Sequence, residues 1–173
     1  MIDITIPDNV TTIGNWTFAD CTSLISVSIP NGVTEIGYQA FFCCDGLTNI
    51  TIPNTVTSIG DSAFECCSSL TSITIPAGIT SIGERTFEDC TGLTRITIPK
   101  SVTSIGREAF YRCEKLTSIT IPSSVTEIGH EAFWGCSNLT DIYVNQTEST
   151  LLDNADVPDE CAIHWNSTES ESV

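Results

Sequence analysis

Every 23 residues this chain returns to its own beginning, and that interval decides what it can fold into. Ile-Pro pairs start at Ile6, Ile29, Ile52, Ile75, Ile98 and Ile121, and Ile-Gly pairs start at Ile13, Ile36, Ile59, Ile82, Ile105 and Ile128. Phe18, Phe41, Phe64, Phe87, Phe110 and Phe133 keep the same spacing, as do Cys21, Cys44, Cys67, Cys90, Cys113 and Cys136. Leu24, Leu47, Leu70, Leu93, Leu116 and Leu139 complete the register, with no insertion or deletion. A fixed period of about 20–50 residues is the signature of a repeat array. The chain is expected to be a solenoid of six coils.

One repeat shows why. In "LTSITIP", Ile119 and Ile121 alternate with Ser118 and Thr120, the two-residue period of a half-buried strand. Pro122 has no N–H to give to a ladder and ends that strand, so its equivalents stop every coil at one level. "VTEIG" predicts a second extended piece with Val125 and Ile128 inward, closed by Gly129 at a tight turn or a close backbone approach. In "HEAFWGCSNL", Phe133, Cys136 and Leu139 fall three apart and put one apolar stripe on a short helical or 3₁₀ turn. No coil closes a core alone. A buried side chain contributes roughly 1.5–3 kcal/mol, and ordering the backbone costs about 1–2 kcal/mol per residue. Only stacking, coil on coil, makes the balance favourable.

The pattern L-x-x-I-x-I-P-x-x-V-T-x-I-G-x-x-A-F-x-x-C-x-x-L closely resembles the BspA-type leucine-rich repeat of bacterial and protozoan surface proteins, over residues 1–144. It lacks the Asn that usually follows L-x-x-L-x-L in the common leucine-rich repeat. The resemblance implies an α/β repeat solenoid, curved and right-handed, with a parallel β-sheet on its concave side and short helical or 3₁₀ turns on its convex side. It also implies adhesion and protein binding.

Charge narrows the partners. The 22 acidic residues against 6 basic ones give a formal net charge of −16, and all six basic residues, Arg85, Arg95, Lys100, Arg107, Arg112 and Lys115, fall within 85–115. Phosphate backbones are bound by Lys and Arg, so nucleic acid is excluded as a partner, and anionic membrane surfaces are disfavoured. No stretch approaches the roughly 18 apolar residues of a membrane span, and the N-terminus has neither a basic n-region nor an apolar h-region.

Catalysis needs convergent acids, bases or nucleophiles. His130 stands at a position held elsewhere by Asn15, Tyr38, Asp61, Glu84 and Arg107, which reads as solvated surface, and His164 lies in the tail. No phosphate loop or H-E-x-x-H is present, and Asp153, Asp156, Asp159 and Glu160 do not follow a calcium-loop spacing. The chain reads as a non-enzyme with no cofactor and no metal. The six periodic cysteines read as small core residues. Cys43 and Cys66 each precede a core Cys and share one position in adjacent coils, which makes them a candidate disulfide; the other reading is two free thiols on the convex side.

The outward strand positions form the candidate binding face: Ser26, Ser28, Asn49, Thr51, Ser72, Thr74, Arg95, Thr97, Ser118, Thr120 and Tyr143. Arg95 is its single cation and Tyr143 its single aromatic, the residue types that anchor interfaces. The competing reading is a strand face made soluble by Ser and Thr. On the opposite side Trp16, Tyr38, Phe42, Tyr111 and Trp134 are aromatic where the repeat allows anything.

Three regions are expected: the solenoid over 1–144, a C-terminal cap over 145–165 and a flexible tail over 166–173. The chain starts in mid-repeat with a bare strand edge, as if cut from something longer or set against a neighbouring surface. Two functions follow. One is a non-catalytic protein- or glycan-binding module of a cell-surface or secreted protein. The other is a structural subunit of a fibre or virion, joined to neighbouring subunits through the uncapped N-terminal edge.

Overall fold

The computed structural model describes residues 2–146 and 150–165. The expected tail at 166–173 lies outside the described residues. Each coil has three sides. The first carries the longer strands: β1 (Ile2–Thr5), β3 (Leu24–Ser28), β5 (Asn49–Thr51), β7 (Ser72–Thr74), β9 (Arg95–Thr97), β11 (Ser118–Ile121) and β13 (Asp141–Val144). The second carries two-residue strands: β2 (Thr12–Ile13), β4 (Glu35–Ile36), β6 (Ser58–Ile59), β8 (Ser81–Ile82), β10 (Ser104–Ile105) and β12 (Glu127–Ile128). The pairings among these strands are parallel and, apart from a shift at Ile2↔Leu24, in register at the repeat spacing, as in Ser26↔Asn49, Ser72↔Arg95 and Ile105↔Ile128. Parallel strands that bond equivalent residues put every copy of a repeat position into one straight column.

Those columns are the core. Phe18, Phe41, Phe64, Phe87, Phe110 and Phe133 stack ring on ring at centroid distances of 5.1 to 5.7 Å. Phe41 through Phe133 are fully buried, while Phe18 of the first coil is half-buried. The cysteine column has a second task. The thiols of Cys44, Cys67, Cys90, Cys113 and Cys136 donate to the backbone carbonyls of Phe18, Phe41, Phe64, Phe87 and Phe110, one coil back, at 3.1–3.2 Å. A thiol here is a small hydrophobe that still fills a backbone acceptor.

The third side was expected to be a short helical or 3₁₀ turn; it is a run of linked 3₁₀-type turns that never extends into a helix. In the second coil, Ala40, Phe42 and Cys44 donate N–H bonds three residues back, to Gly37, Gln39 and Phe41. The alternate amides, those of Gln39, Phe41 and Cys43, donate forward to Asp61, Ala63 and Glu65 of the next coil at 3.1, 2.9 and 2.9 Å. A helix would have used every amide within one coil; alternation leaves half of them to hold the stack. It also demands left-handed backbone twice per coil. Trp16, Gln39, Ser62, Arg85, Glu108 and Glu131 form one such column, and Asp20, Cys43, Cys66, Asp89, Arg112 and Gly135 the other, with φ between 50° and 74°.

The repeated glycine meets its second expected role, close approach, without positive φ. A Cβ on Gly106 would stand 2.6 Å from the backbone carbon of Gly83 in the preceding coil. Corner threonines tie the coils further: Thr34, Thr103 and Thr126 donate to the carbonyls of Thr11, Thr80 and Thr103 at 3.2–3.3 Å, and Thr94 and Thr140 do so to Thr71 and Thr117 at 3.0 and 3.2 Å.

Beyond β13 the period breaks. A 3₁₀ turn (Thr150–Leu152) and strand β14 (Ala162–Trp165) follow, and β14 joins β13 in parallel with Asp141↔Ala162 and Tyr143↔His164, a spacing of 21 residues instead of 23. The carbonyl of Ala155 accepts from Phe133 N–H at 2.8 Å, in the manner of Ala132 accepting from Phe110 one coil earlier, so the two missing residues fall between Ala155 and Ala162.

Candidate functional site

The long-strand face is built by the pleat. Ile50, Ile73, Ile96, Ile119 and Ile142 enter the core, so their neighbours on either side must leave it. Ser28, Asn49, Thr51, Ser72, Thr74, Arg95, Thr97, Ser118, Thr120 and Tyr143 are exposed on this face. Ser26 is half-buried and donates to Asp3 Oδ1 at 2.6 Å. Among the described residues the hydroxyls of Ser72, Thr74, Thr97, Ser118 and Thr120 have no protein partner, and Arg95 makes no ion pair. A shallow depression of about 290 Å³ lies between β3 and β5, lined by Ser26, Ser28, Asn49 and Thr51.

The C-terminal end of this strip holds what the sequence did not disclose. Through the shortened register, His164 lands beside Tyr143, and the two rings stack at 4.5 Å with 12° between their planes. His164 Nε2 lies 2.8 Å from Asp141 Oδ1, and Thr140 Oγ1 donates to the other carboxylate oxygen at 2.8 Å. The imidazole first, and the Thr140 hydroxyl with it, hold the Asp141 carboxyl below the usual range. A stacked tyrosine–imidazole pair, an oriented carboxylate and an unpaired guanidinium two strands away thus share one face. The signal in the sequence was the alternation in "CAIHW", which turns Ile163 and Trp165 toward the core and leaves Ala162 and His164 outward.

The turn side is charged and already committed to itself. Glu108 is buried between Arg85, which donates to its Oε2, and Arg107, whose Nη2 donates to its Oε1 at 2.5 Å. Burial pushes this carboxyl up, but the two guanidiniums outweigh that and hold it below its ordinary value. Glu88 Oε2 lies 3.2 Å from Arg85 Nε, yet the single Nε–H points at Glu108 and leaves Glu88 unaligned. Burial, with the Glu65 carboxylate beside it, pushes Glu88 up to about 7.

Four of the five aromatics of this side form two separate pairs, and Phe42 is half-buried outside both. Trp16 meets Tyr38 edge-on at 5.5 Å, and Tyr111 stacks on Trp134 at 4.7 Å. His130 is exposed beside Glu131. Among the described residues no three His, Cys, Asp or Glu side chains gather as a metal set, and no helix is long and apolar enough to cross a membrane. The nine cysteines are thiols, with Cys43 and Cys66 half-buried at one position of adjacent coils and Cys161 half-buried against the core.

Stacked coils with in-register parallel strands, a Leu/Ile/Phe core and one long-strand face define a leucine-rich repeat solenoid. The chain belongs to the BspA-type leucine-rich repeat family, whose profile matches six copies over residues 1–85 and 57–155. Its fold is shared with the T. pallidum leucine-rich repeat protein TpLRR: TM-score 0.62, 25% identity, over 97% of this chain and 71% of that one. A leucine-rich repeat protein from Eubacterium ventriosum is 31% identical over 80% of this chain and 43% of its own, with a TM-score of 0.61. The pneumococcal vaccine antigen PcpA is 18% identical over 98% of this chain and 57% of its own, with a TM-score of 0.57, and shows the fold alone. No curated protein sequence matches the chain.

Proposed function

We propose that this chain is a non-catalytic binding module of a surface-exposed or secreted protein, and that it takes a protein or glycan ligand on its long-strand face. The observation that carries this reading is the contrast in hydrogen bonding around one coil. Corner hydroxyls are spent on neighbouring backbone, whereas the strip hydroxyls from Ser72 to Thr120, with Arg95, are unpartnered and exposed. Tyr143 and His164 supply a stacking surface at one end of the strip, and Arg95 and Asp141 supply charge of both signs. Interfaces draw their affinity from a few Tyr, Trp and Arg residues set among adaptable polar contacts. Membership in a repeat family of surface proteins supports the location.

A glycan array and a panel of extracellular matrix proteins, probed with wild type and with Arg95→Ala, Tyr143→Ala and His164→Ala, test this. A ligand of the wild type should bind each variant at least about 10-fold more weakly, since truncating an anchor costs about 1.4 kcal/mol or more. Thr126→Ala, at a corner, should bind as wild type does. Equal binding by all four variants would move the site off this face.

A further inference from the structure

The left-handed column of the turn side contains two adjacent thiols, Cys43 and Cys66, and they differ from the other seven cysteines in their surroundings. The thiols at Cys44, Cys67, Cys90, Cys113 and Cys136 are buried and turned to backbone carbonyls. Cys21 and Cys161 are half-buried in separate places, at the first coil and in the closing segment. Cys43 and Cys66 are half-buried, occupy equivalent positions in neighbouring coils and lie near enough for each thiol to shift the other's titration. Their backbones are fixed by the forward bonds Cys43 N–H to Glu65 O at 2.9 Å and Cys66 N–H to Glu88 O at 2.8 Å. Those coil-to-coil amide bonds act as a ladder does between strands, whose spacing of about 4.7–4.9 Å falls inside the 4.4–6.8 Å Cα range of disulfides. We infer that Cys43 and Cys66 are a covalent staple site, closed into a coil-to-coil disulfide by a small-molecule disulfide or a thiol–disulfide oxidoreductase.

The two sulfurs have unequal parts. Burial raises both thiols; the Cys66 thiol beside it pulls Cys43 part of the way back, whereas Cys66 is pushed up to about 12. Cys43 is therefore the first to become a thiolate. With glutathione disulfide as oxidant, the Cys43 thiolate attacks one glutathione sulfur, that S–S bond breaks and one glutathione thiolate leaves. Cys66 then gives its proton to solvent and attacks the Cys43 sulfur, displacing the second glutathione thiolate and forming the Cys43–Cys66 bond. Two electrons pass from the protein dithiol to glutathione disulfide, and the released thiolates take up the two protons. Since both thiols are raised, attack is slow at neutral pH. The pair suits a lasting bond and not a fast redox sensor.

The same column carries Asp20, Asp89, Arg112 and Gly135, so single replacements here are compatible with the coil. Folded protein incubated with glutathione disulfide at pH 8.5, then denatured, alkylated and mapped by mass, should keep seven of its nine thiols, with one bond joining 43 to 66 (9 − 2 = 7). A 23-residue loop closed in this way should raise Tm by about 5–10 °C, reversibly with dithiothreitol. C66S should accumulate a glutathione adduct on Cys43 at least about 3-fold faster than C43S does on Cys66. Nine free thiols after oxidation, or a bond or adduct formed at Cys21 or Cys161 with Cys43 and Cys66 left free, would overturn the assignment.

Discussion

Threonine does two different jobs on two parts of the same coil. At the corners, Thr103 gives its hydroxyl to the Thr80 carbonyl at 3.2 Å and so belongs to the stack. On the long-strand face, Thr97 and Thr120 stand in equally straight columns and give theirs to nothing in the protein. The difference is pleat geometry: a corner side chain lies along the stack, within reach of the preceding coil's carbonyl, and a strand side chain stands perpendicular to it. Repetition alone therefore does not separate a structural position from an available one. Hydrogen-bond partnership does.

That contrast can be broken or sharpened by substitution, beginning where both parts depend on the same core. Phe64→Ala opens a gap in the middle of the ring column and should cost about 3–5 kcal/mol, read as the loss of denaturant midpoint at constant m-value. Thr103→Val, which keeps shape and removes the hydroxyl, should cost about 1 kcal/mol in urea unfolding. Glu88→Gln should act through pH. The folded carboxyl titrates near 7 and the unfolded one near 4.3. Between those values the folded state holds more protons, and wild-type stability falls as pH rises. The variant should match wild type near pH 4 and melt a few degrees higher at pH 8 in calorimetry. Thr97→Ala, on the strip, should stay within about 0.5 kcal/mol of wild type. A Thr97→Ala cost equal to that of Thr103→Val would erase the distinction on which the binding face rests.

Most of the architecture was legible because the period does the alignment itself. The Phe, Leu and Ile columns, the strands and the outward strip all follow from fixed positions and a two-residue pleat. The run of linked turns in place of a helix was not legible. The apolar spacing of Phe133, Cys136 and Leu139 fits either, and the choice is made by amides that bond to the next coil. The thiol ladder was hidden for a related reason, since a buried Cys reads as apolar until its acceptor is known. His164 was missed because it lies past the last full repeat, where a spacing of 21 replaces 23 and column counting loses its register.

One feature of the turn side reaches beyond any single coil. On that side Trp16, Phe18 and Asp20 point their amides forward to the carbonyls of Tyr38, Ala40 and Phe42, and the next coil repeats the direction. Ordinary sheets alternate and nearly cancel; here peptide units line up head to tail in three parallel files, as they do inside an α-helix. The turn side therefore has an electrical polarity along its length, carbonyl-negative toward the first coil and amide-positive toward the last. Asp153, Asp156, Asp159 and Glu160 lie toward the end where that field welcomes anions.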